Sequence, residues 1–538
     1  MSLNPKTRPA AVALLLMLTM GFAHAATYYV ATTGNDTTGD GTSANPKKTI
    51  RAGIARMAGG DTLIVKAGTY SDLPNFINSR QVAIPNGTAA QFTTIMAEQP
   101  GAVRIKNSGA LDYYDNFIFL ESTRYVKVDG FILDHTNSQY PPSTVDVEGS
   151  FNKVTRVIVK RSGPTEQYGG WFYFSGTDNL LEDSAGVGSA RYGFAVGGPS
   201  GTAQRIILRR CVGRMDYSIS SQPKATFNVY GNDDGNFNVR DILLQNLIAI
   251  DGRKGPTTGD VTYGAYYFPK NPVNVGIQGS LALNVESEYA SFFIKELQGR
   301  DIKMVDSVAW AGYGTSGVDG VRANSTSNTT DSLIYDHMTI GKHAGAWYNK
   351  DGATTRQLTN SLMYGNTSLS DGSDVGWTTA TSNAFYPSTP TVGSNAIAAV
   401  AADLKYIVRA EAGSKFSGKA TDGRDVGANM TVRYGRTGTL WGETGYNERT
   451  TEALWPWLLE DKIKSVFAET NAAPSGAVPS TNVTTRGFAA TTDQFGKPMT
   501  LTRYVWQYLG NEIPAEIYGT GSANLVAPTG LSATVIKQ

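Results

Sequence analysis

Two short segments hold side chains whose types and spacing could do chemistry. In Asn232-Asp233-Asp234-Gly235 two adjacent carboxylates stand in a turn, and the oxygens of Asp233 and Asp234 are the hard ligands that a calcium ion takes. In Phe292-Phe293-Ile294-Lys295-Glu296 a single lysine ends an apolar run, and a lysine so placed is a base where neighbouring positive charge or desolvation favours its neutral amine. Each segment also has a plainer reading: an Asn-Asp-Asp-Gly turn needs no metal, and Lys295 beside Glu296 makes an ordinary surface pair. Asn284-x-Glu286-x-Glu288 would set three oxygen-bearing side chains on one strand face, turned toward water or a cation.

Other chemistries lack their residues. Asp36-x-Thr38-x-Asp40-Gly41 opens like a calcium loop, but Lys47 stands where the bidentate Glu would close it. The four histidines are scattered without a His-x-x-x-His pair, which argues against a zinc enzyme, and no Gly-x-Ser-x-Gly elbow offers a nucleophilic serine. Cys211 is the only cysteine, so no intrachain disulfide forms, and its apolar surroundings predict a core position.

The elements that must position these residues follow from repetition. Short apolar runs recur, each ending in a polar residue: Phe131 to His135, Val157 to Arg161, Leu180 to Ser184, Ile206 to Cys211, Ile242 to Leu247, Ile302 to Ser307, Leu333 to His337 and Leu358 to Ser361. Taking Asp134, Lys160, Asp183, Arg210, Asn246, Asp306, Asp336 and Asn360 as the register gives intervals of 23 to 36 residues, most of them 23 to 30, and one of 60, Asn246 to Asp306, that fits two coils. Strands this short, repeating this often, with 59 Gly at the turns, predict an all-β right-handed parallel β-helix. Helical solenoids need longer segments with i, i+3, i+4, i+7 spacing, and propellers have longer repeats.

The segments divide as follows. Lys6 and Arg8, the apolar run Ala10 to Phe22 and Ala23-His24-Ala25 make residues 1–25 a signal peptide, which predicts a secreted or extracellular protein, cell-surface location included. Residues 26–75 form an N-terminal cap and first coil, 76–428 the β-helix, 429–518 a helical and irregular C-terminal cap, and 519–538 a linker with an incomplete strand like the first of a fibronectin type III module. Within the cap, Pro46 to Met57 places Ile50, Ile54 and Met57 on one helical face; Leu454 to Phe467 and Leu501 to Leu509 suggest two further helices docked on the solenoid's last coil. With 47 Lys and Arg against 46 Asp and Glu and no basic cluster, nucleic acid is not an expected partner. No stretch approaches the roughly 20 apolar residues of a spanning helix, so membrane insertion is not expected.

The string Tyr28-Tyr29-Val30, Gly34-Asn35-Asp36, Gly39-Asp40-Gly41-Thr42, Asn45-Pro46, Gly60-Asp61-Thr62 and Gly68-Thr69-Tyr70 resembles the opening of bacterial right-handed β-helix proteins that include the family 9 polysaccharide lyases, pectate lyase-like enzymes. Asp422 to Ala428 looks like the closing coil of such proteins. The resemblance implies an acidic polysaccharide as partner, calcium as cofactor and β-elimination as the reaction. Asn232-Asp233-Asp234-Gly235 with Phe237 is similar to the family's calcium turn, with Asn at 236 and 238 where a further Asp would stand, and Phe293-Ile294-Lys295 is similar to the segment carrying its catalytic lysine, one coil further on than the family pattern. A non-catalytic rod that binds polysaccharide is the alternative.

Overall fold

A computed structural model describes residues 25–136, 140–162, 169–198, 201–215, 223–232, 236–253, 262–270, 272–295, 301–314, 317–324, 329–350, 353–370, 376–387, 392–469 and 487–518. The signal-peptide run, Asp233, Asp234, Glu296 and the linker with its fibronectin-like strand lie outside the described residues. No helix of the described residues is long and apolar enough to cross a membrane.

The chain winds as a right-handed parallel β-helix of three sheets. Among the described residues sheet I has 14 strands, sheet II 13 and sheet III 10, and the winding visits them in that order. One coil runs through Val126–Asp129 on sheet I, Phe131–His135 on sheet II and Ser143–Val147 on sheet III before Lys153–Thr155 opens the next. Every described strand pairing within the three sheets is parallel, so residues 13 (Ala384 and Ile397) to 41 (Ile77 and Ile118) apart in sequence become vertical neighbours.

The corner between sheets I and II turns on one left-handed residue per coil. Gly130, Arg156, Asp183, Arg210, Asn246, Gly279, Asp306, His337 and Asn360 all hold positive φ there, between 50° and 91°. Small polar side chains cap the exposed backbone of adjacent coils: Ser184 Oγ accepts from Val157 N at 3.1 Å, Ser280 Oγ from Leu247 N at 3.2 Å, and Ser361 Oγ from Met338 N at 3.0 Å. The long interval does hold two coils, the extra one turning at Gly279.

Inward positions fill one continuous core. Under sheet III a ring stacks in each of five successive rungs, Phe172, Phe194, Phe227, Tyr266 and Phe292, with centroids 4.4 to 5.0 Å apart and planes within 18°. Each such pair adds about 0.5–1.5 kcal/mol beyond its buried area and fixes the rung register. Cys211 lies fully inside, and burial pushes its thiol well up.

At the N-terminus, Thr27–Val30 pairs with Thr62–Val65, and the helix Ile50–Ile54 lays Ile50, Gly53 and Ile54 over the first coil. This helix is shorter than the apolar spacing predicts. Lys47 is still extended, exchanging backbone hydrogen bonds with Tyr29 and Ala31, and Asp36 takes the amides of Lys48 and Thr49, so the helix starts only after Thr49 caps it.

The C-terminal segment differs from expectation. Asp422 to Ala428 does not form a last coil; the last strand of sheet II is Ile397–Ala398. From there the chain returns toward the N-terminus along the corner, one rung after another. Thr421 N meets Asn360 Oδ1 at 2.8 Å, Ala428 N meets Thr339 Oγ1 at 2.9 Å, Tyr434 N meets Asn246 Oδ1 at 2.6 Å and Gly438 N meets Glu182 Oε2 at 3.0 Å. The helices Glu460–Ala468 and Leu501–Trp506 then pack on the side of sheet II. The first starts at Glu460 rather than Leu454 because Pro456 disfavours helical backbone before it, and Trp455 instead donates Nε1–H to Met430 O at 2.6 Å.

Candidate functional site

The three outward faces carry different residues. On sheet II they are mostly apolar, including Ile158, Val187, Ile248, Leu283 and Trp310, and the returning segment covers them with Trp455, Phe467 and Trp506, its Glu469 pairing with the outward Arg104 and Lys160. On sheet I, Leu180, Ile207 and Leu243 meet Leu440 and Trp441 of the same segment. On sheet III the outward aromatics form a separate cluster, Tyr267 and Phe293 with Tyr192, Tyr263 and Tyr289 against them, and no described C-terminal residue belongs to it.

Strand alternation sets what this face presents. In Ala290–Lys295, Phe292 and Ile294 point into the core, so Phe293 and Lys295 point out. Lys295 Nζ lies 5.6 Å from the Tyr263 ring centroid, and Lys224 Nζ lies 4.1 Å from the same ring. One rung on, in Asp319–Asn324, Arg322 is the register partner of Phe293. Its guanidinium sits 3.8 Å from the Tyr348 ring and 5.6 Å from that of Tyr289, with Asp319 Oδ2 at 3.1 Å from Nη1. Arg191 lies 5.4 Å from the Tyr192 ring. Tyrosine rings thus hold four cationic heads along one face, each contact contributing about 0.5–2 kcal/mol. Burial, then the Glu288 charge, raises the Tyr289 phenol, which keeps it protonated.

Toward the N-terminal end the face changes sign. Phe119, Asp146 and Tyr173 are register partners on successive rungs. Burial, then Glu148 and Glu121, raises the Asp146 carboxyl, and burial with Glu121 raises that of Glu148.

Of the residues singled out in the sequence, Lys295 stands on this face. Asp233 and Asp234 lie outside the described residues; the sheet III strand before them, Ala225–Tyr230, is two rungs from Ala290–Lys295, about 10 Å at the spacing of paired strands. Asn232 locks its turn, donating from Nδ2 to Gly201 O at 2.9 Å and Gly198 O at 3.2 Å and accepting from Asn238 N at 2.9 Å. Asn284, Glu286 and Glu288 do not share a strand face. They lie in the connection between Leu281–Leu283 and Ala290–Lys295, where Asn284 takes left-handed backbone and donates to Asp251 Oδ1 at 2.7 Å. Among the described residues no group of three or more His, Cys, Asp or Glu is placed to hold a metal. Lys224, Arg322, Tyr263 and Tyr289 were missed in the sequence; the usable signal was their alternation within strands or their place just before them.

No family model matches the chain and no curated protein does. Solved structures with similar winding include a PL6 family alginate lyase, AlyGC, at 12% identity over 70% of this chain and 56% of that one, TM-score 0.44. Others are a PL6 family polysaccharide lyase from Pseudopedobacter saltans, at 13% identity over 70% and 96%, TM-score 0.41, and the A-module of the mannuronan C-5 epimerase AlgE6 from Azotobacter vinelandii, at 13% identity over 65% and 94%, TM-score 0.35. The chain therefore spans little more than half the length of AlyGC. The likeness is one of backbone winding, and the functional reading rests on the residues above.

Proposed function

We propose that this protein is a secreted polysaccharide lyase that cleaves an acidic glycan by β-elimination on the outward face of sheet III. The observation that carries this reading is the placement of Lys295 beside Tyr263 and Lys224, with Tyr289 at the start of the same rung and Arg322 on the next, on a face that no described C-terminal residue covers. A long polymer laid along stacked rungs meets one cation after another. Arg322, one rung from Lys295, holds the uronate carboxylate and stabilises the charge that builds on it, and Lys224, three strand spacings from Arg322, meets another carboxylate of the polymer. The Lys295 amine takes the C5 proton, the C4–C5 double bond forms, the C4–O bond breaks, and the leaving oxygen takes a proton from the Tyr289 phenol. The opening segment's likeness to family 9 lyases supports the same reaction class.

Calcium belongs to this proposal through Asp233 and Asp234, whose oxygens fit a hard cation; bound there it would neutralise uronate charge. Release of unsaturated products absorbing in the ultraviolet, from a panel of uronate polymers, is the test. Loss of that signal in Lys295→Ala with binding kept supports the reading, whereas binding without product in the wild-type protein leaves the non-catalytic rod. Chelation with EDTA is expected to lower the rate if Asp233 and Asp234 hold calcium, and an unchanged rate removes the metal.

A further inference from the structure

The acidic end of sheet III has a built aromatic platform. Tyr113 and Tyr114 are among the most exposed large side chains, at 53% and 51%, and they pack edge to face with centroids 5.0 Å apart. The Tyr114 ring is parallel to Phe119 at 6.5 Å, and the Arg80 guanidinium fills the gap, 3.8 Å from one ring and 5.2 Å from the other. Arg80 is itself neutralised by Glu121, with Nε–Oε2 and Nη2–Oε1 both at 2.6 Å. Directly along the ladder stand Asp146, whose Oδ1 is covered and has no hydrogen-bond partner, and Glu148 two residues on. Phe119 and Phe293 belong to one ladder of register partners six rungs long, about 29 Å.

Burial, with the negative charge that Asp146, Glu148 and Glu121 crowd together, already pushes the first two carboxyls up, so a carboxylated sugar would add a further anion to them, and the Arg80 guanidinium beside them is already paired. An uncharged ring suits the same surface: its apolar face covers the tyrosines, and its hydroxyls donate to carboxylate oxygens. We propose that Tyr113, Tyr114, Asp146 and Glu148 form a second subsite that takes an uncharged sugar ring, so that the glycan is a heteropolymer with neutral residues as well as uronates. This inference rests on the reading that a glycan lies along sheet III.

Binding of the full chain is measured by calorimetry against three probes: a polyuronate in which every ring is charged, a linear glycan of alternating uronate and neutral hexose, and that second glycan with its carboxyls reduced to alcohols. The alternating glycan is expected to bind about tenfold more tightly than the polyuronate, and Tyr113→Ala/Tyr114→Ala to remove that preference while Tyr114→Phe keeps it. The reduced glycan is expected to bind wild type and to lose affinity in the double variant but not in Lys295→Ala. Equal weakening of all three probes in the double variant, or no binding of the reduced glycan to wild type, overturns the subsite. Failure of the lyase reading is read separately, as absence of unsaturated product.

Discussion

Sheets II and III are wound from the same rungs, yet their outward faces have opposite fates. Sheet II presents Ile, Val, Leu and Trp, and the described C-terminal residues Trp455, Phe467 and Trp506, with their neighbours, fold back to cover them. Sheet III presents lysine, arginine and tyrosine at its C-terminal end and carboxylates at the other, and stays outside that cover. The difference teaches where function sits: a solenoid side that the chain seals with its own residues serves stability, and the side it furnishes with held cations is the one kept for a partner.

Substitutions can break this division. On the open face, Lys295→Ala is expected to lower kcat about 10³- to 10⁴-fold with the melting temperature unchanged, as loss of a general base does. A parallel loss of thermal stability would make Lys295 a packing residue.

On the sealed side the effect is reversed. Arg210 is buried and bridges Asp183 Oδ1 at 2.6 Å, Glu182 Oε1 at 2.9 Å and Thr437 Oγ1 at 3.1 Å. Beside it the fully buried Arg209 bonds Glu182, Gln245 and the carbonyls of Arg436 and Tyr446. Arg210→Ala strands the buried Asp183 carboxylate and leaves Glu182 to Arg209, and is expected to cost about 3–5 kcal/mol in urea unfolding, with kcat per folded molecule unchanged. Removal of activity without loss of stability would place the strap in the site.

Arg322→Ala is expected to reduce kcat/KM about a hundredfold, and Arg322→Lys to recover part of it, since charge without the flat stacking head is half the contact. An unchanged rate would show that Arg322 serves only to hold Tyr348.

The smallest effect is one of pH. His343 is buried, its Nε2 within 2.9 Å of Ser291 Oγ and accepting from Gly312 N at 3.2 Å, and burial lowers it to about 3. Its folded value lies below its unfolded one, near 6.5, so the unfolded chain binds the extra proton as pH falls. Stability is expected to drop by about 2 kcal/mol between pH 6.5 and 5, and less in His343→Asn. Equal slopes in the two proteins would remove His343 as the cause.

The winding was legible because a β-helix repeats its own signals. Asp183, Arg210, Asn246, Asp306 and Asn360 mark true corner residues, while Asp134 and Lys160 sit inside sheet II strands and the corner positions there are Gly130 and Arg156. One coil shows in the sequence only as the doubled interval from Asn246 to Asp306, because Gly279 takes the left-handed turn that a polar residue takes elsewhere. The site was half legible. Lys295 stands out at the end of an apolar strand, but Arg322 and Lys224 reach it only across rungs, and coils that vary between 13 and 41 residues hide which residues are vertical neighbours. The return of the C-terminal segment along sheet II was not legible, because amphipathic spacing shows that Ile463, Val466 and Phe467 bury a face and not which surface receives it.

The most direct measurement is a crystal structure of the full-length Lys295→Ala protein with a bound uronate oligosaccharide. The expected density runs along sheet III, with one carboxylate against Arg322, another against Lys224 and a ring over residue 295. Density on sheet I, or a chain lying across the coils with its carboxylates turned from Arg322, would contradict the assignment of this face as the place where the glycan is cut.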